Sequence, residues 1–312
     1  MLAAPLGASA VTQGSEEIRH VTLLVGYAPG GLSDRLTRIA AKYLQRALRQ
    51  PVVVQNVPGA GGIRAAKWLA AAKAQTPTLM FADTSLLVSQ LMATDKGLPD
   101  VTTFAPVGTM GYTAFVVAVS ADAPWQTLTQ LIQALRWQPG NHNFGSPGMN
   151  SLHQLTVEVL MRHLDATVQH IPYSGGTQML PDLMAQRIAF GALSTSLALE
   201  QSKAHRLRLL AVTSQLRLPQ LPEVPALAEL YPGMHSVSTA YLLASPSMPP
   251  ATLQGLRAAW RQALADPALT QELITLQMIP DALDASQAEV LLKQEMRQWS
   301  RVLAETANAP PR

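Results

Sequence analysis

Two adjacent glycines, a serine and an aspartate stand together in GYAPGGLSD, Gly26 to Asp34, between an apolar run and an amphipathic stretch. A strand that turns through Gly-Gly into a helix leaves the first backbone N–H groups of the helix without internal acceptors, and the helix dipole adds to their pull on negative charge. Such a turn can seat a carboxylate; it can equally be no more than a tight connection. Small-residue loops of the same kind recur at 56–64 (NVPGAGGIR), 143–152 (NFGSPGMNSL) and 173–178 (YSGGTQ), each ahead of a helix-like stretch. Two such helix starts facing each other across a cleft would hold an anion with backbone donors and hydroxyls, without an arginine. Each charge-assisted hydrogen bond contributes about 1.5–3 kcal/mol. Four or five together support micromolar binding, about −8 kcal/mol, after the costs of association.

Other chemistries are poorly served. Arg64 stands where a dinucleotide-binding G-x-G-x-x-G requires its third glycine, and Lys67 is not placed for a phosphate-binding P-loop. The chain has no cysteine, which excludes thiolate metal sites, disulfides and cysteine nucleophiles, and its seven histidines form no H-E-x-x-H pair. Ser146 follows Gly145 directly, so the G-x-S-x-G turn of serine hydrolases is not spelled. Asp34, Asp83 and Asp182 stand where helix-cap or turn acids belong. No acid, base and nucleophile assemble, so no enzyme, metal or cofactor is expected.

The elements that must position these loops alternate. VTLLV (21–25) and VVV (52–54) read as short buried strands, and between them Leu36, Ile39, Ala40, Tyr43, Leu44, Ala47 and Leu48 form the stripe of a helix covering a sheet. A Gly-rich loop, a second helix and the apolar strand TLMFADTS repeat the unit. Beyond Phe104, AFVVAVS, a helix from Thr127 to Trp137, the 143–152 loop, a helix from Leu152 to His163, VQHIPY, IAFGAL and LRLLAVTS make a second α/β unit. A connection rich in proline (Pro219, Pro222, Pro225, Pro232) precedes AYLLAS, and helices at 250–266, 268–277 and 286–306 close the chain. Crossovers near 118 and 238 predict two domains, 21–118 with 238–312 and 119–237, after a terminal segment 1–20. A two-lobed body with a ligand cleft follows.

The bulk numbers agree with this. The chain has 312 residues, 48% hydrophobic and 14% charged, and its formal charge of +3 is scattered, which leaves no nucleic-acid footprint. No stretch reaches the ~18 uninterrupted apolar residues that span a bilayer. The N-terminal MLAAPLGASAVTQGSEE closes on Ala8-Ser9-Ala10, like the cleavage site of a secretory signal shortened at its front, with the mature chain starting near Val11; an ordinary loose terminus is the alternative.

Six ordered segments, YAPGGLSD, VVVQNVPGAGG, FAPVG, NFGSPGMNS, HIPYSGG and LRLLAVTSQLRLPQLPEVPALAE, give the chain from about Val21 to Leu303 a resemblance to the Bug or TctC family of periplasmic solute-binding receptors of tripartite tricarboxylate transporters. The resemblance implies a Venus-flytrap α/β receptor, each lobe a mostly parallel sheet flanked by helices, that closes on an organic carboxylate. It implies a periplasmic protein that hands its solute to an inner-membrane permease and is not membrane-embedded; a monomer is the default for a diffusing receptor. The alternative on the same frame is a sensor that presents its loaded state to a membrane histidine kinase.

Carried onto this chain, the family's first ligand loop falls on Tyr27, Gly31, Leu32, Ser33 and Asp34, and its second on Ser146, Met149, Asn150 and Ser151. The far end of the pocket would draw on Thr84, Ser85, Tyr173, Ser174, Ser194, Thr195 and Tyr241. The expected mechanism has the Ser33, Ser146 and Ser151 hydroxyls and neighbouring N–H groups holding a carboxylate while Tyr27 packs on its carbon skeleton. The chain departs from the family pattern at Gly26, Val57, Asn150, Gln154 and Leu193, and lacks the usual aromatic near Thr239. Loss of the acid often found at the Leu193 position argues against an amino-acid solute.

Overall fold

The computed structural model describes residues 20–95, 97–149 and 151–307; the secretory-signal reading of the first residues lies outside these. Strands β1 (Val21–Val25), β2 (Val52–Asn56) and β3 (Thr78–Asp83) lie parallel in the order β2-β1-β3, with α1 (Leu32–Leu48) and α2 (Ile63–Ala70) in the crossovers. The apolar run of β1 is continuous because both its faces are covered. Leu23 and Val25 pack under α1 with Leu36, Ala40, Tyr43 and Leu44, while Leu24 packs on the other side with Leu69 and Met80. The periodic stripe of α1 is therefore the buried face it predicts.

After β3 the chain enters α3 (Thr84–Met92) at once, a helix the sequence reading missed. TSLLVSQLM is apolar around most of its circumference and shows little periodicity, so no helical stripe follows the cap acid Asp83.

A single strand, β4 (Ala105–Ser120), then runs through both sheets. It is followed by α4 (Leu128–Trp137), β5 (Asn143–Ser146), α5 (Leu152–His163), β6 (Gln169–Pro172), α6 (Gly176–Met184), β7 (Phe190–Ser194), α7 (Thr195–Lys203) and β8 (Leu207–Val212). β7, β5 and β6 are parallel neighbours, as the alternation predicts, whereas β7 and β8 both run antiparallel to β4. Val117 and Val119 pack with Phe144 and Phe190 on one face, and Val116 and Ala118 with Met179 and Leu183 on the other.

The proline-rich connection holds only the short α8 (Leu227–Leu230) before β9 (Val237–Ala244) returns the chain. β9 inserts between β3 and β4, antiparallel to both, which makes the first sheet mixed and gives the order β2-β1-β3-β9-β4. Partner strands change along β4: Ala114 still pairs with Val237 of β9, and Phe115 pairs with Ser194 of β7. α9 (Pro250–Leu264), α10 (Pro267–Thr275), the two-residue β10 (Ile279–Pro280) and α11 (Ala285–Ala307) close the chain over the first sheet. Trp260 of α9 is fully buried against β4, and its indole N–H donates to the Thr109 carbonyl at 3.1 Å.

Candidate functional site

Five helix starts open on one cavity of about 670 Å³ where the two sheets meet. Leu32 and Ser33 of α1, Ile63 of α2, Ser85 of α3, Leu152 of α5, and Thr195 and Ser196 of α7 all line it. The starts of α3 and α5 are capped by side chains, Asp83 and Ser151, while those of α1, α2 and α7 carry no side-chain cap. In α1 the ladder begins with Arg35 N–H donating to Gly31 O at 3.0 Å, so the amides ahead of it lie outside the helix's own bonds. Among the described residues no lysine or arginine lines the cavity.

The first glycine loop is held from behind. Asp34 accepts from Gly30 N–H at 2.9 Å and Arg38 Nε at 2.9 Å on one oxygen, and from Asn56 Nδ2 at 2.8 Å on the other; Asn56 Nδ2 also donates to the Tyr27 carbonyl at 3.0 Å. The Arg38 bond, with the Gly30 and Asn56 bonds, holds the Asp34 carboxyl at about 2 against the opposing effect of burial. Asp34 therefore braces the loop from behind, and neither it nor Gly31 is among the residues that line the cavity.

The second loop follows the same logic. Ser146 is fully buried off the cavity: its hydroxyl donates to Gly148 O at 2.9 Å, lies 2.7 Å from His170 Nε2 and accepts from Ser151 Oγ at 3.3 Å. Ser146 is thus tied on several sides into the loop and to β6, and the direction of its bond to His170 follows the imidazole tautomer. Ser151 accepts from Gln154 N–H at 3.2 Å as the cap of α5 and also lines the cavity with Met149; Asn150 is outside the described residues.

Strand alternation sorts the far end. On β3, Phe81 and Asp83 face the cavity; on β9, Ser238 and Ala240 do. Thr84 and Tyr241 consequently lie behind the wall: Thr84 Oγ1 donates to Glu295 Oε2 at 2.9 Å and accepts from Thr239 N–H at 2.9 Å, and Tyr241 is fully buried in the core beneath. Tyr173 donates to Asp182 at 2.8 Å beside α6, and neither it nor Ser174 reaches the cavity. Tyr27, Leu32, Ser33, Ser85, Met149, Ser151, Ser194 and Thr195 are the expected residues that the fold brings together there.

Several lining groups escaped the sequence reading. Asp83 stands in the sequence where a cap or turn acid belongs, yet the Tyr27 hydroxyl donates to its Oδ1 at 2.9 Å inside the cavity wall. Burial raises the Asp83 carboxyl above its usual range, and burial together with the Asp83 charge and bond raises the Tyr27 phenol well above its own. His153 packs its ring on Phe115, centroids 3.8 Å apart; burial lowers its imidazole to about 3, and its Nε2 is sealed from solvent with no hydrogen-bond partner. Gln277, which follows α10, also lines the cavity with an unpartnered Oε1. Ala60 and Gly61 belong to the recurrent glycine loops, and this recurrence was the available signal for them.

The departures also find places. Leu193 and Val57 are buried in apolar core, Gln154 donates to Glu158 at 2.7 Å, and Thr239 donates to Glu295 at 2.6 Å. Among the described residues no helix is long and apolar enough to cross a membrane, and no group of side chains could hold a metal ion.

A model of the tripartite tricarboxylate transporter family receptor matches residues 36–307. A UPF0065 protein of Cupriavidus necator is 31% identical over 278 residues, covering 86% of this chain and 82% of the relative. Among solved structures, an R. palustris protein with adipate superposes with a TM-score of 0.82 at 24% identity over 95% of this chain and all of its own (100%). MatC of Rhodopseudomonas palustris with bound malate gives 0.75 at 22% over 91% of this chain and 99% of its own. With the two-lobed α/β fold in place and the family model spanning most of the sequence, the chain belongs to the tripartite tricarboxylate transporter receptors.

Proposed function

We propose that the protein is a periplasmic receptor that closes on an organic carboxylate and delivers it to the membrane permease of a tripartite tricarboxylate transporter, without catalysing a reaction. The observation that carries this reading is the convergence of helix starts on one cavity that has no lysine or arginine in its described wall. Main-chain amides at α1, α2 and α7 offer fixed dipoles to an anion, and the Ser33 and Ser194 hydroxyls add donors. With the Tyr27 hydroxyl engaged by Asp83, its ring is the part left to pack on the solute's carbon skeleton. The adipate and malate bound by two structural neighbours support the solute class.

Closure would move the unit built on the first sheet against the unit built on the second, which takes over β4 from Phe115. The natural pivot is the stretch where β4 exchanges β9 for β7 between Ala114 and Phe115, beside the Val237 end of β9. Thermal-shift screening against mono-, di- and tricarboxylates tests the reading. A solute at a hundredfold excess over its Kd adds about 2.7 kcal/mol to native-state stability, a rise of several degrees in Tm. Ser33→Leu, which fills the α1 end of the cavity, is expected to abolish the shift while leaving the unliganded Tm within about 2 °C. Absence of a shift with every carboxylate would defeat the proposal.

A further inference from the structure

Resting on that carboxylate reading, we infer that the solute also carries a hydrogen-bond donor, a hydroxyl or an amine, and that Asp83 is the residue that selects for it. Asp83 is the one acidic side chain among the described lining residues, and no lysine or arginine accompanies it there. It also takes part in no ion pair among the described residues. Its donors, the Tyr27 hydroxyl at 2.9 Å and the Leu86 N–H at 3.2 Å on Oδ1 together with the Ser85 backbone N–H, are all neutral. Capping α3 does not require a charge, since serine, threonine or asparagine caps as well. What aspartate adds at this place is an acidic acceptor in the wall.

The cavity is thereby polar in two senses. The starts of α1, α2 and α7 present amides suited to a carboxylate, while the end of β3 presents an acceptor that repels one. An acid that offers only acceptors satisfies the first wall and meets like charge at the second. A hydroxy- or amino-carboxylate satisfies both. Gln277 adds to the same balance, because its Oε1 is a sealed acceptor without a partner in the cavity wall. Leu193, in the family position often held by an acid, is buried in apolar core off the cavity, so Asp83 supplies from the opposite lobe what that position does not.

The test is calorimetry with matched acids: succinate, malate and aspartate, then glutarate, 2-hydroxyglutarate and glutamate, on the wild-type protein, Asp83→Asn and Gln277→Met. A donor-bearing acid is expected to bind at least tenfold more tightly than its unsubstituted partner. Malate against aspartate tells hydroxyl from ammonium. Asp83→Asn keeps the cap and should narrow the preference to within about threefold, and Gln277→Met should weaken the preferred acid severalfold. Succinate or glutarate binding as tightly as its substituted counterparts overturns the inference and leaves the carboxylate receptor standing. A preference that survives Asp83→Asn unchanged removes Asp83 as its source, and the wild-type ratios decide the solute chemistry even if that variant does not fold. If no acid binds, the carboxylate reading fails and this inference with it.

Discussion

Gly26 and Gly62 meet back to back: a Cβ built on Gly26 would stand 2.5 Å from the Gly62 Cα. Gly62 itself has φ +96°, a conformation that favours glycine. The contact joins the 26–34 loop to the 56–64 loop, and Val57 N–H donating to Val25 O at 2.9 Å ties them again one residue away. Gly26 is thus a departure from the family pattern with a steric reason in this chain. Gly26→Ala is expected to cost about 1–3 kcal/mol through overpacking and to weaken solute binding by displacing Gly61 from the cavity wall. Urea unfolding and calorimetry check both; an unchanged urea midpoint would contradict the packing.

Glu295 of α11 is buried, with the Thr84 and Thr239 hydroxyls each donating to one of its oxygens. Burial raises its carboxyl above the usual range, and the hydroxyl bonds only partly offset this. A carboxyl raised in the folded state favours folding below its ordinary value of about 4.3 and loses that contribution as pH rises. Glu295→Gln should therefore gain stability relative to the wild-type protein between pH 4 and 7. Glu295→Ala, which strands two hydroxyls beside a cavity, should lose about 2–4 kcal/mol at pH 7. Chemical denaturation of both variants across that range separates the charge from the packing.

Asp34 has the opposite sign. Its carboxyl at about 2 contributes stability that is present above the ordinary carboxylate value and is lost as pH falls towards 2. Half of the Arg38 side chain is exposed, so screening reduces the effect to about 1–2 kcal/mol. Asp34→Asn should show that deficit at pH 6 and converge on the wild-type protein near pH 2.

His153, lowered to about 3 by burial, must be neutral in the fold. Unfolding exposes it to protonation near pH 6.5, so its contribution is complete above that value and falls as pH drops towards 3. One such group adds a slope of about 1.4 kcal/mol per pH unit at most. His153→Leu, which keeps an apolar contact with Phe115, should unfold less steeply with acid between pH 6 and 4. Parallel slopes for the two proteins would show that the imidazole is not sealed in this way.

Much of this was legible in local pattern. The stripe of α1 and the run of β1 report two-sided burial directly, and three of the four recurring glycine loops, at 26–34, 56–64 and 143–152, lead to helix starts on the cavity, whereas the one at 173–178 does not. α3 was hidden because an all-round apolar helix carries no period. The orientation of Tyr241 and Thr84 was hidden because strand faces depend on a partner: only the β3–β9 register puts Asp83 and Ala240 on the cavity side and their neighbours behind it. Glu295 and Gln277 come from sequence so distant that only the folded sheet brings them near, and a single chain gives no spacing from which to infer that meeting.

The place of β9 between β3 and β4 also governs assembly during synthesis. Until residues 237–244 are in place, β3 and β4 each present an unpaired edge that no earlier part of the chain closes. The amino-terminal third is therefore not an early autonomous folding unit: its completion waits for a segment made more than a hundred residues later, with a correspondingly long interval of exposure to chaperones and to wrong pairing.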